Sequence, residues 1–258
     1  MSGSNLRSSL SPPKDSRIES SPPVIEQLQV NRRTLLQGLV VGTGVAIALP
    51  YLAPPPARAA GAPTPAGISA NSGILWEDDA SLGASLDFMS AIGATSIRID
   101  IPWNWIERTR GTFTWSLVDR VVDAAGARGM KILGVLTTSP QWAALGGSSN
   151  PQTRPANTNR WTTFVGNAAR RYRGKIYAYE VWNEPNAREY FAPNPDPAAY
   201  AALVRAAVPA IAQADPNAQI IAGALGPAPS GDGTIRALDF FTAMLDAGVG
   251  AVSAYSFH

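Results

Sequence analysis

The chain predicts an α/β fold of the (β/α)8-barrel (TIM barrel) kind, with about six βα units present. Three observations predict it. From Gly73 onward, short β-branched runs alternate with helical patterns, the signature of βα units and a parallel sheet. No Gly-rich turn follows an early strand, so the phosphate-cradling fingerprint of an open doubly wound sheet is missing. The strand ends carry aromatic and carboxylate side chains instead: Trp76-Glu77, Trp103 and Trp105, Trp142, then Trp182-Asn183-Glu184. Chemistry gathered at the C-terminal ends of several strands is the barrel arrangement.

The strands are expected over Ile74 to Glu77, Ser96 to Ile101, Lys131 to Leu136, Ala178 to Trp182, Gln219 to Ala222 and Ala251 to Phe257. Between the second and third, Ser116 begins a helix with Leu117, Val118, Val121, Val122 and Ala125 on one face, Asp119 three residues after the cap and Gly129 past the end. Another helix starts at Asp196, with Pro197 in its first turn, and runs toward Asp215-Pro216. Pro209 is expected to kink or interrupt it, because it removes a backbone donor and crowds the preceding turn. Weaker helical patterns cover Leu82 to Ile92, Trp161 to Tyr172 and Leu238 to Ala247.

The N-terminal stretch reads differently. Residues 1–30 are rich in Ser and Pro without hydrophobic periodicity, the composition of a disordered leader. Residues 31–59 contain Asn31-Arg32-Arg33-Thr34-Leu35-Leu36, an uncharged run from Gly38 to Ala53, and Ala57-Arg58-Ala59, a small-x-small cleavage site. That is the pattern of a twin-arginine export signal. The run is broken by Gly42, Gly44 and Pro50 and falls short of the roughly 20 apolar residues that span a bilayer. The expectation is a secreted or cell-envelope protein that meets the membrane only transiently, during export. Residues 60–72 read as a linker, and 73–258 as the barrel domain.

Charge narrows the partners. Residues 60–258 hold 15 of the 21 Lys/Arg and 16 of the 19 Asp/Glu, so this region is nearly neutral despite a whole-chain pI near 9.0. Nucleic-acid binding, which needs clustered cations, has no support, and neutral substrates fit better. The sequence points to no protein partner. There are no cysteines, which excludes thiolate metal sites and cysteine nucleophiles, and the single histidine is His258, which argues against a Ser-His-Asp triad. No metal or organic cofactor is expected.

The most informative segment is Val181-Trp182-Asn183-Glu184-Pro185-Asn186. An apolar strand ending in a carboxylic acid puts that acid at the barrel mouth, and the adjacent tryptophan and proline make its surroundings less aqueous, the setting of a general acid. Here the sequence resembles the large clan of retaining (β/α)8 glycoside hydrolases, cellulase-like or of family 5 or 39. The resemblance extends through Trp105-Ile106-Glu107, Gly111, Phe113-Thr114-Trp115-Ser116, Leu117, Asp119 and Gly129-Met130-Lys131-Ile132-Leu133, and covers about residues 73–258. It implies that Glu184 protonates the leaving oxygen and that Asn183 holds the sugar's 2-hydroxyl. It also implies that Arg98 steadies the nucleophile and that His258, similar to the clan's sixth-strand histidine, lines the same site. The implied substrate is carbohydrate.

Two-carboxylate glycosidases need one group to give a proton and another to attack or stabilise an oxocarbenium-like centre, at roughly 5–5.5 Å in retaining enzymes. The resemblance puts the second group after a seventh strand, whereas His258 falls on the sixth, so the expectation is that the nucleophile is missing from these 258 residues. Glu77, Asp78 and Glu107 follow early strands, but the clan does not use those positions. Asp100 alternates onto the face of Arg98, its simplest partner inside the barrel, and Glu180 reads as structural.

Trp76, Trp103, Trp142 and Trp182 near strand ends are expected to bind substrate by stacking on sugar faces. Packing is the commoner role for any one tryptophan, and only their clustering at one rim favours a sugar groove. Trp115 and Trp161 open helices and read as core, while Tyr190 and Tyr255 fit either role. The long loop from Gly146 shapes substrate binding or is a plain connection. Two other function classes compete. One is a catalytically silent truncated barrel that at most binds carbohydrate. The other is a Schiff-base aldolase, for which the only lysines after residue 60, Lys131 and Lys175, both precede strands.

Overall fold

The computed structural model describes residues 66–227 and 229–258. The expected leader, export signal and first part of the linker lie outside the described residues. Within them, six strands form one sheet in the order β1-β2-β3-β4-β5-β6: β1 Ala66–Asn71, β2 Ala94–Pro102, β3 Lys131–Thr137, β4 Ala178–Val181, β5 Gln219–Leu225 and β6 Ala254–Phe257. Every neighbouring pair is parallel. Each crossover carries helix: α1 Asp79–Ala91, then α2 Trp103–Ile106 with α3 Ser116–Ala127, then α4 Thr158–Arg171, α5 Pro197–Ala214 and α6 Ala237–Asp246. Spatial order that follows chain order, with no reversal at a switch point, is barrel topology. Among the described residues no helix is long and apolar enough to cross a membrane.

The sheet is curled into a half-barrel, and the side-chain contacts between its alternate strands accord with this. Strands two apart in a flat sheet lie about 9.5 Å from each other. Yet Arg98 on β2 reaches Glu180 on β4 at 2.8 Å, and Ser256 on β6 reaches the same carboxylate at 2.6 Å. Three alternate strands therefore meet in one interior layer, as barrel strands do. Alternation along β2 sorts its two faces. Ile97, Ile99 and Ile101 are buried outward against the helices, while Ser96, Arg98 and Asp100 face inward.

The helices form because each presents one apolar face to that outer layer. Helix α3 buries Val118, Val121, Val122 and Ala125, and Gly129 (φ 68°) follows its end. Its N-cap is Trp115 rather than Ser116, without a side-chain capping bond. Asn157 caps α4 by accepting from Asn159 N at 2.7 Å, and α4 buries Trp161, Phe164, Val165, Ala168 and Ala169. Asp196 caps α5, accepting from Ala199 N at 2.9 Å. Pro209 does not interrupt α5: it sits on the exposed side while Leu203, Val204, Ala207, Ile211 and Ala214 continue the buried stripe past it. Burial of that stripe outweighs the lost backbone bond.

The expected first strand requires correction. Residues Gly73–Trp76 form a 3-10 turn that buries Ile74 and Leu75 consecutively, and the strand is the segment before it, Ala66–Asn71, paired with β2. The boundary between linker and barrel therefore falls earlier than residue 73. The sixth strand starts at Ala254 rather than Ala251, and β4 stops one residue before Trp182.

Candidate active site

All four residues of β4 are buried, and the backbone then turns through two left-handed residues, Trp182 (φ 67°) and Glu184 (φ 45°). Such conformations cost on the order of 1–3 kcal/mol each and persist where neighbours hold them. Here Trp182 N donates to Leu136 O at 2.9 Å, Trp182 Nε1 to Tyr190 O at 2.5 Å, and Glu184 N to Ala224 O at 3.0 Å. Asn71, Thr138 and Ala224 are left-handed too, at the same end of β1, β3 and β5. Non-glycine strain thus gathers at one rim of the sheet.

The turn delivers Glu184 to a cleft at that rim. His258 Nδ1 lies 2.8 Å from Glu184 Oε1, both side chains being partly accessible. Behind the carboxylate, buried Asn186 donates to Gly226 O and Ile235 O, both at 3.0 Å, and accepts from Gly226 N at 2.8 Å, tying the β5 loop to the β4 loop. A Cβ at Gly226 would stand 3.1 Å from Glu184 Cδ, so glycine leaves room for the acid.

Beside Glu184, Arg98 organises three elements. Its Nε donates to Glu180 Oε2 at 2.8 Å, Nη1 to Asn71 Oδ1 at 2.9 Å and Nη2 to Asn183 Oδ1 at 2.8 Å. Glu180 is only 2% exposed, and the paired cation offsets the burial of its charge. With Oδ1 of Asn183 occupied, the amide's remaining polar group is its NH2 donor.

The cleft holds about 510 Å3, within the range of small-molecule sites, about 300–1,000 Å3. Glu184, Asn183, Tyr190, Asp100, Thr137, Thr138, Asn71, Arg98, Gln152 and His258 line it. Burial raises the Asp100 carboxyl from 3.8 to about 6, a shift that Arg98 opposes and Glu180 reinforces. Asp100 is not the partner of Arg98, as its position suggested, because Glu180 takes that ion pair.

Glu184, Asn183, Arg98 and His258 therefore come together at this cleft. The four tryptophans do not, and none lines the cleft. Trp182 is fully buried against Trp161 and Phe191, because its left-handed backbone breaks strand alternation and swings the ring into the helix layer. Trp103 is also fully buried, stacked on Phe164, with Nε1 donating to Glu107 at 2.6 Å. Trp142 is half-buried and donates to Glu107 O at 2.9 Å. Trp76 is exposed at 51% and packs edge-on against Trp105. Sequence reasoning missed Asn71, which sat in the supposed linker, and Thr137 and Gln152, which carry no motif; Thr137 ends β3 on the inward face, a position that alternation along that strand would have flagged.

A family model described as Cellulase (glycosyl hydrolase family 5) matches residues 57–237, more than half of the chain. An endo-1,4-beta-xylanase of Agaricus bisporus is 32% identical over 110 residues, which covers 41% of this chain and 31% of that protein. Among solved structures, the fold resembles a family 39 glycoside hydrolase from the gut symbiont Bacteroides cellulosilyticus WH2, with TM-score 0.55, 22% identity, and 75% and 38% of the two chains covered. It also resembles a monomeric beta-xylosidase from Caulobacter crescentus CB15, with TM-score 0.58, 21% identity, and 75% and 41% covered. The chain spans less than half the length of each of these three relatives.

Proposed function

The chain belongs to the cellulase family, glycosyl hydrolase family 5, and from that premise we propose that it carries the acid/base side of a retaining glycosidase that cleaves O-glycosidic bonds of a polysaccharide or glycoconjugate. The observation that carries the reading is the placement of Glu184 in the cleft, against His258 and next to the Arg98-anchored Asn183.

In this reading Glu184 donates its proton to the leaving glycosidic oxygen while a second carboxylate attacks the anomeric carbon and forms a glycosyl-enzyme. Glu184, now a carboxylate, takes a proton from water, which attacks the anomeric carbon and releases the nucleophile. The NH2 of Asn183 donates to the sugar's 2-hydroxyl, and Arg98 fixes that amide. If the chain continues beyond residue 258, the reading expects the nucleophile to be a glutamate at the end of a seventh strand. Supporting this, the nearby carboxylate of Glu180 is already engaged by Arg98. Export through the twin-arginine route, read from residues 31–59, belongs to the same proposal and places the enzyme where polymeric glycans are met.

The test is hydrolysis of a panel of aryl glycosides and polysaccharides by the 258-residue chain and by a form extended through a seventh and eighth βα unit. The reading expects activity in the extended form, lost in Glu184→Gln, and a 258-residue chain that binds carbohydrate without cleaving it. An extended form with no carboxylate after its seventh strand would sink the retaining mechanism.

A further inference from the structure

Around the cleft every acidic side chain but one is engaged. Glu180 is held by Arg98 and Ser256, and Glu184 by His258. Asp100, on the inward face of β2, makes no hydrogen bond or ion pair among the described residues, although it lines the cleft. On the adjoining strand Asp100 pairs with Val135, and two residues further along Thr137, which pairs with Pro102, lies on the same inward face. Thr137 is 5% exposed, its hydroxyl has no hydrogen-bond partner among the described residues, and it too lines the cleft. A buried hydroxyl without a partner is destabilising until something supplies one. The Asp100 anion is costly for the same reason: desolvation raises its carboxyl to about 6 even with the Arg98 cation on the same face.

We propose that Asp100 and Thr137 form a second recognition edge of the cleft, which reads two adjacent hydroxyls of the sugar ring held at Glu184. The inference rests on the reading of this cleft as a glycosidase site. An ionised carboxylate accepts hydrogen bonds and donates none, so its two oxygens match the two O–H donors of a vicinal diol, and the Thr137 hydroxyl exchanges a bond with one of the same groups. The ligand is a neutral sugar with that diol intact. A site built to bond a hydroxyl discriminates strongly against the analogue that lacks it, because its own polar groups are then left unpaired. Asp100 and Thr137 are thus specificity-determining residues of the cleft that Glu184 also lines.

The test is binding of cellobiose, xylobiose and mannobiose to the full 258-residue chain by calorimetric titration, beside Asp100→Asn and Thr137→Val. The monodeoxy analogues of the tightest of the three are then titrated. Asp100→Asn is expected to weaken binding about 10- to 100-fold, the loss of hydrogen bonds to a charged group, without lowering the melting temperature. Thr137→Val, which removes an unpartnered hydroxyl, should weaken binding while leaving the sugar-free protein at least as stable. One monodeoxy analogue should bind the unaltered chain as poorly as the parent sugar binds Asp100→Asn, and that variant should no longer distinguish the two. Unchanged affinity in Asp100→Asn, in a chain that binds any of these sugars, overturns the inference and leaves the glycosidase reading standing. Failure of the unaltered chain to bind all three sugars overturns it as well, and hydrolysis by the extended form then decides the glycosidase reading separately.

Discussion

The guanidinium of Arg98 joins Glu180 to Asn183, donating to each at 2.8 Å, so one cation neutralises a buried charge and fixes the residue beside Glu184. These two duties are separable. Arg98→Met strands the Glu180 carboxylate and should cost about 3–5 kcal/mol, read as a lower urea midpoint. The double variant Arg98→Met/Glu180→Leu should recover most of that stability, since removing both charges removes the stranded one. Asn183 stays unanchored in both, so sugar affinity should remain low. A double variant as unstable as Arg98→Met alone would show that the pair is not coupled.

Asp100 should make stability depend on pH in a defined direction. Its folded value is raised to about 6 from 3.8, so between those values the folded chain holds a proton that the unfolded chain has released. Its contribution to stability is fully present below about 3.8 and is lost as pH rises through about 6. Asp100→Asn removes the ionisation penalty. The variant should therefore be more stable than the parent at pH 7.5, by on the order of 1–3 kcal/mol, with the gap closing by pH 4. Thermal melts across that range are the check, and a gap independent of pH would contradict the account.

The strands and helices from β2 onward were legible because period and burial agree along them: β2 alternates its isoleucines, and α3 through α6 each carry one apolar stripe. Strand β1 was not. Ala66-Gly67-Ile68-Ser69-Ala70-Asn71 lacks an apolar run because it buries little, while Ile74-Leu75 looks like a strand and is buried by a tight turn instead. At the site, Glu184 was legible from one motif and its strand context, while Asn183, Arg98 and His258 came only with the resemblance to the clan. The tryptophan orientations were not, since a positive φ at Trp182 undoes the alternation from which they were read. The pairing of Arg98 was misread because the local candidate, Asp100, lies on its own strand and the true partner lies two strands away.

Gly226 sets the space behind the acid. A Cβ there would lie 3.1 Å from Glu184 Cδ and 3.2 Å from Oε2. Gly226→Ala should displace the carboxylate rather than unfold the loop, lowering kcat of the hydrolytic form about 10- to 100-fold, as sub-ångström to ångström misplacement of catalytic groups does. The melting temperature should change little. A large loss of stability with kcat intact would place the strain elsewhere.

The tryptophans divide by burial. Trp182→Ala empties a fully buried site and should cost about 3–5 kcal/mol of stability. Trp76→Ala, at an exposed ring that touches Trp105, should cost under about 1 kcal/mol. Chemical denaturation of both variants checks this, and equal small effects would contradict the buried placement of Trp182.

The central claim, that Glu184 is the acid/base of a glycosidase, is tested most directly by hydrolysis of aryl β-glycosides by the extended protein and its Glu184→Ala variant, with and without azide. The account predicts a loss of about 10²- to 10⁴-fold for poor leaving groups. Activated leaving groups should suffer less, and azide should restore turnover as a small anion that attacks without general-base help. A Glu184→Ala variant that hydrolyses poor leaving groups at the unaltered rate would contradict it.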